Sequence, residues 1–271
     1  MRIRNYHLPR EHGPPPGTTF FNLTINNPVI KFNTMNKIIL LIFLAVGLTS
    51  FAQTRTTSYD FPVKPGTSEW KKFQSRSEMA EAMQIPPAIL KDLTTGALAK
   101  TCLSFPMFKD LYFFNDPQTG FNALKQSFNG FGELLNRSDA GTELLELYKQ
   151  MNPANFKSKW NDTLKGDFTF QFVQIEMLLA QEQIISMLHA DTRNELIKEA
   201  AQKYQGKKAS DIFNGFALGP SVLVIGRILD REGKLQSLKA KTSASGVENF
   251  LSTGITDDPK ILEQIWVLSK N

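Results

Sequence analysis

Residues Asp167 to Leu188 read DFTFQFVQIEMLLAQEQIISML, and the fold class turns on them. Phe168, Phe170 and Phe172 alternate as they would on a half-buried strand, but the alternation fails at Val173 and no glycine or proline interrupts the run before Asp191. Phe168, Phe172, Ile175 and Leu179 fall at the three- and four-residue steps of one helical face. The run is expected to be a central helix. Its competitor is a hairpin pairing 168–177 with 222–229, the apolar segment after Pro220.

Toward the N-terminus the chain carries helix punctuation. Ser75-Arg76-Ser77-Glu78 is a capping box, Pro87 suits a first helical position, and Thr94 or Thr95 caps a helix running to Phe105. Met107 to Phe114 reads as a short apolar helix. Asp116-Pro117 opens another reaching about Arg137, in which Phe121, Leu124, Phe128, Phe131 and Leu135 make one continuous face. Gly130 and Gly132 mark a bend or a close crossing there. Ser138 or Asp139 caps the next helix, which Asn152-Pro153 stops.

Toward the C-terminus, Asp191 or Thr192 caps a helix ending at Gly206, with Leu196, Ile197 and Ala200 inward and Lys198, Glu199 and Lys203 outward. Pro220 to Arg231 forms a further helix, ending at Gly233. Lys234 to Ser245 is a polar loop or frayed helix, and Asp257-Asp258-Pro259 starts the last helix, docked by Ile261, Leu262, Ile265, Trp266 and Leu268. The sum is about nine or ten short helices joined by proline and glycine, the mark of an all-α multi-helical array or superhelix.

The segment FPVKPGTSEW at Phe61 to Trp70, with KKFQSRSEMAEAMQIPPAILKDLTT and CLSFPMFKDLYFFND after it, resembles a group of uncharacterised exported proteins of Gram-negative bacteria. The resemblance implies an all-helical fold. It carries over no catalytic or binding residue.

Met35 to Gln53, MNKIILLIFLAVGLTSFAQ, reads as a secretory signal peptide: Lys37 precedes an apolar run from Ile38 to Leu48, and Ser50-Phe51-Ala52 places small residues before a cleavage site at Ala52-Gln53. At about 1.5 Å per residue the run reaches roughly half of a bilayer core. Residues 1–34, with Pro14-Pro15-Pro16-Gly17, read as a mis-called start or a disordered extension. The expected organisation is 35–52 as signal, 53–66 as an extended leader and 67–271 as a single all-helical domain, placed in the periplasm or outside the cell.

Beyond Ala52 lie 26 basic and 25 acidic side chains, so the whole-chain net charge of +5 falls to +1. No basic stripe speaks for nucleic acid or an anionic membrane, and no integral membrane segment is expected in the mature chain. Cys102 is the sole cysteine; it excludes an internal disulfide and is expected to be buried.

Chemistry-bearing residues are sparse. His189 is the single histidine after the signal, expected at the C-terminal end of the central helix, where it complements the helix dipole. Gly130-x-Gly132 lacks the strand and third glycine of a dinucleotide fingerprint. Asp257 and Asp258 are adjacent acids of the type that holds a hard cation, but at a helix start they read as caps. No cofactor and no metal is expected. Glu176 and Glu182 are the carboxylates that a hydrolase would use, although Glu176 shares a narrow polar stripe with Thr169 and Gln183. The leading expectation is an exported helical binding or scaffold protein offering a concave face to a peptide, protein or glycan. The alternative is a carboxylate-dependent hydrolase on the central helix.

Overall fold

The computed structural model describes residues 58–270 apart from 214, 242 and 243. The expectations for the signal segment, for residues 1–34 and for the first part of the leader lie outside these residues. The described residues belong to one compact unit.

The fold is an all-α multi-helical array, and the described residues contain no strand. The N-terminal part comprises α1 (Arg76–Ala82), α2 (Pro87–Asp92), α3 (Thr95–Leu103), α4 (Pro117–Ser127), α5 (Asn129–Leu135) and α6 (Ala140–Lys149). The C-terminal part comprises α7 (Asp162–Leu179), α8 (Glu182–Met187), α9 (Ala190–Lys208), α10 (Gly215–Arg231), α11 (Gln236–Lys241), α12 (Ala244–Thr253) and α13 (Pro259–Leu268). Short 3₁₀ segments at Trp70–Lys72, Phe108–Phe113 and Pro153–Asn155 join them.

Four of the expected caps form and two do not: Asp139 stands at the N-cap of α6 without a side-chain cap bond, and α9 begins at Ala190, ahead of Asp191 and Thr192. Ser75 accepts from the Glu78 amide, Thr94 from Ala97, Asp116 from Thr119 and Asp258 from Lys260. Each satisfies one of the first-turn N–H groups that a helix leaves without a partner.

Five further expectations are corrected. The helix proposed for 117–137 breaks at Phe128, whose backbone is extended. The break is held by Asn129 and Gln84: the Asn129 amide donates to Gln84 Oε1, and the Asn129 carboxamide pairs with both backbone groups of Ile85 at 2.8 and 3.0 Å. The central run also divides. α7 starts at Asp162 and stops at Leu179, because the Gln181 side chain donates to the Met177 carbonyl (2.6 Å) and Arg227 to that of Ala180 (2.9 Å), serving oxygens that would otherwise need another turn. With these two divisions, and with a short helix formed within 234–245, the described residues hold thirteen α-helices.

α9 runs through Gly206 to Lys208, since Gly206 has none of the positive φ that ends a helix; Gly233, at φ 71, does end α10. α10 begins at Gly215 and carries Pro220 inside it. Lys203 is 7% exposed rather than outward; its ammonium pairs with Glu199 and lies 5.4 Å from the Tyr148 ring centroid.

The N-terminal core is aromatic. Phe105 and Phe128 stack at 4.2 Å and meet Phe61 and Phe131, and Phe108 joins Phe131 to Phe121 and Phe170. Such pairs add about 0.5–1.5 kcal/mol each beyond buried area. Phe61 thus anchors the proline-rich strap, which no regular backbone hydrogen bonding could hold. Cys102 is buried in the same core, where desolvation pushes its thiol well above the usual range. In the C-terminal half α10 packs along α9 and α7, and α12 and α13 close over it.

Candidate functional site

Two features of the C-terminal half bear on function: a buried ionic cluster, and the open cleft next to it.

The cluster is built on Glu176 of α7. Nine consecutive-turn residues of that helix are buried, so the one carboxylate among them loses its water and needs polar partners. They come from three other helices. Lys207 Nζ of α9 donates to its two oxygens at 2.7 and 2.6 Å, Tyr148 OH of α6 at 2.6 Å, and Ser221 Oγ of α10 at 2.8 Å. The remaining capacity of the ammonium goes to the Ala217 carbonyl (2.9 Å) and to Ser221 Oγ (3.0 Å), while the rings of Phe172 and Phe213 lie 5.0 and 5.8 Å from Nζ.

Glu176 and Lys207 are both 0% exposed. Burial pushes the Lys207 ammonium down, and the Glu176 carboxylate opposes that shift. Burial and the same carboxylate push the Tyr148 phenol well up. A serine beside a lysine of lowered pKa has the composition of a nucleophile and its base. Here the lysine is held by a carboxylate, the serine proton is committed to that carboxylate, and no atom of the pair meets solvent. The cluster is a four-helix clasp.

Glu182 lies elsewhere, on the first turn of α8 at the surface, paired with Arg231. Glu176 is bound to a lysine, a phenol and a hydroxyl, with no second carboxylate among its partners. His189 is exposed at the N-cap position of α9, where its side chain makes no cap bond; the expected helix-end role is corrected to a helix start. Asp258 caps α13, and Asp257 is exposed beside it. Among the described residues no three His, Cys, Asp or Glu side chains gather as a metal site, and no helix is long and apolar enough to cross a membrane.

The cleft, of about 770 Å³, opens between the end of α9, the start of α10, and the connection from α12 to α13. Three glycines line it, Gly215 and Gly219 on α10 and Gly254 at φ +84: a Cβ at Gly215 would meet nothing within 4 Å, whereas one at Gly219 would touch the Gly254 carbonyl at 3.4 Å and one at Gly254 would press on Leu223 at 3.2 Å. Leu218, Phe250, Ile255 and Leu262 supply carbon surface, and Tyr204, Lys208 and Glu263 form one edge. Lys208 and Glu263 pair at 2.7 Å, and Lys208 also lies 5.4 and 5.6 Å from the rings of Tyr204 and Trp266.

Phe216, 66% exposed, stands at the far edge and also lines a second pocket of about 410 Å³ with Tyr112, Thr169, Phe170, Val173 and Ala217. That pocket backs onto the clasp: Ala217 lines it and gives its carbonyl to Lys207. Burial, then the Glu176 charge, pushes the Tyr112 phenol above its ordinary range.

The cleft residues escape a one-dimensional reading because three of them are glycines, which carry no pattern. Lys207 had a signal: Leu196, Ala200 and Lys203 continue to Lys207 in helical steps on the inward face, provided that Gly206 is not taken as a stop. Comparison of the chain with family models, with curated proteins and with solved structures returned no match.

Proposed function

We propose that this chain is an exported helical binding protein whose ligand site is the cleft between α9, α10, α12 and α13. The cleft itself carries the reading. About 770 Å³ is within the size range of small-molecule sites, and its walls combine a carbon floor with a few polar groups at one edge, the usual anatomy of such sites. On those walls the Tyr204 hydroxyl reaches the Glu263 carboxylate only at 3.4 Å, and that carboxylate is already paired with Lys208; the buried carboxylate that would serve a hydrolase is neutralised by Lys207 away from solvent. The peptide, protein or glycan ligand expected from sequence narrows on this floor to a molecule or side chain of apolar character. Export follows from the Met35–Gln53 segment.

The test is fluorescence titration of the purified protein with N-phenyl-1-naphthylamine, a neutral apolar probe. Saturable enhancement is expected, with affinity lowered at least tenfold by Gly215→Trp. A Cβ at Gly215 meets nothing within 4 Å, so an indole can be placed at the mouth of the cleft. Absence of saturable binding, or binding indifferent to Gly215→Trp in a protein of unchanged circular dichroism, overturns the reading.

A further inference from the structure

Large apolar side chains stand exposed at eight positions among the described residues, and five of these gather at one end of the molecule. Tyr112 and Phe113 close the 3₁₀ segment Phe108–Phe113 and Phe114 follows it, Leu164 lies on the first turn of α7, and Phe216 lies on the first turn of α10. Gly166 of α7 lines the pocket of about 410 Å³ with Tyr112 and Phe216, which places the start of both helices beside the aromatic run. Phe113 is 74% exposed and Leu164 49%. Carbon surface concentrated in this way marks a contact with something other than water.

The charges at this end select the partner. Phe156 and Trp160 lead into α7 with their rings 6.0 Å apart, and Trp160 lies 5.4 Å from the ring of Phe168. A turn closed by the Trp160 amide on the Lys157 carbonyl (3.0 Å) sets Lys157 and Lys159, both exposed, beside the half-buried indole. Neither lysine has an ion-pair partner among the described residues. From Phe156 to Gly166 three bases, Lys157, Lys159 and Lys165, face one acid, Asp162, an excess of two positive charges. Asp162 is fully exposed and pairs with Lys165 at 3.5 Å, which leaves the other two lysines free. Arg76 and Lys109 add nothing to that excess, because Asp110 and Asp167 hold them.

We infer that this end of the molecule docks on an anionic lipid surface. Leu164 and the exposed aromatic side chains enter the boundary between headgroups and acyl chains, Trp160 lies at headgroup depth, and Lys157 and Lys159 meet lipid phosphates. An indole has an apolar body and a polar N–H tip that suit the polarity gradient of that boundary, and a lysine stem can lie along carbon while its ammonium stays among the headgroups. A second copy of the chain is the poorer occupant: a two-fold interface apposes the same patch from each subunit and would bring the unpaired lysines toward their own counterparts. The inference does not depend on the cleft being a ligand site.

The experiment is co-sedimentation of the purified exported protein with vesicles of phosphatidylcholine alone and of phosphatidylcholine mixed with phosphatidylglycerol. Binding to the mixed vesicles is expected, tighter than to phosphatidylcholine and weakened by salt. Lys157→Gln with Lys159→Gln is expected to lower affinity for the mixed vesicles about twentyfold, roughly fivefold for each lysine, and to leave that for phosphatidylcholine unchanged. Leu164→Ser is expected to lower both by about tenfold. All three positions are exposed, so the circular dichroism of these variants is expected to match the parent. Acyl chains carrying bromine are expected to quench tryptophan fluorescence in the parent and to lose that effect in Trp160→Phe, although Trp70 and Trp266 remain. Absence of vesicle binding, or binding that survives both the lysine pair and Leu164→Ser, overturns the inference. A dimer in sedimentation velocity that Leu164→Ser dissociates also overturns it, because a second copy would then cover this face.

Discussion

Lys207 Nζ lies 2.7 and 2.6 Å from the two carboxylate oxygens of Glu176, with both side chains wholly removed from solvent and 31 residues apart in the chain. Taking both charges out of water is costly, and the ion pair offsets that cost only because Tyr148, Ser221 and the Ala217 carbonyl complete the hydrogen bonding. The arrangement therefore fixes which faces of α6, α7, α9 and α10 meet, and so fixes the cleft that α9 and α10 flank.

Removing one partner leaves the other charge buried and unpaired. Lys207→Met is expected to destabilise the fold by about 3–5 kcal/mol in urea unfolding. Adding Glu176→Leu is expected to return part of that loss, because two apolar side chains need no partners. A single-variant cost under about 1 kcal/mol, or a double variant as unstable as the sum of the singles, would show that the pair does not clasp these helices.

The elements whose signals are local were legible in the sequence. Ser75, Thr94, Asp116 and Asp258 cap helices within three residues of themselves, and the proline after Asp116 and Asp258 reinforces the start. The aromatic alternation at Phe168 to Phe172 resolved correctly to helix because the four-residue steps continue beyond it. What failed depends on partners far along the chain. Phe128 breaks a helix because Gln84 and Ile85, more than 40 residues earlier, take the polar groups of Asn129. α7 stops because Arg227 reaches its last turn from α10. Glu176 stands out in the sequence as an acid flanked by Ile175 and Met177, but the identity of its partner depends on how α9 packs, which periodicity alone does not encode.

Arg227 is the second long-range tie. Its guanidinium donates to the carbonyls of Leu251 and Ala180 and to Gln118 Oε1 at 2.8–2.9 Å, joining α12, the α7–α8 corner and α4. Burial, partly opposed by the Glu182 charge, lowers it to about 10, so it remains protonated at neutral pH. Arg227→Met is expected to cost about 2–4 kcal/mol, since three acceptors lose a charged donor. Arg227→Lys is expected to recover less than half, because an ammonium lacks the planar fork. The melting temperatures of the two variants check this; a lysine variant as stable as the parent would contradict it.

Tyr204 sets an alkaline limit. Burial and the neighbouring Glu263 carboxylate push its phenol up to about 12 from an ordinary value near 10. Between those values the unfolded chain has lost the proton and the folded chain keeps it, so this contribution is complete below pH 10 and declines as pH rises toward 12. Urea stability is expected to fall less steeply across that window in Tyr204→Phe than in the parent. Equal slopes would show that the phenol does not report folding.

Export has its own check. Mass spectrometry of the protein recovered from the cell envelope or medium is expected to show Gln53, free or cyclised, as the first residue. Peptides from residues 1–34 in that material would contradict cleavage at Ala52-Gln53.

The role of the cleft is tested most directly by where an apolar ligand binds. Backbone-amide chemical shifts of the isotopically labelled protein, titrated with N-phenyl-1-naphthylamine, locate it. The expected result is saturable shifts concentrated at Gly215, Leu218 and Gly219 of α10 and along 254–263, with the amides around Glu182 and Arg231 unmoved. Shifts centred away from the α9–α10–α13 cleft, or spread over the surface without saturation, would contradict the claim that this cleft is the binding site.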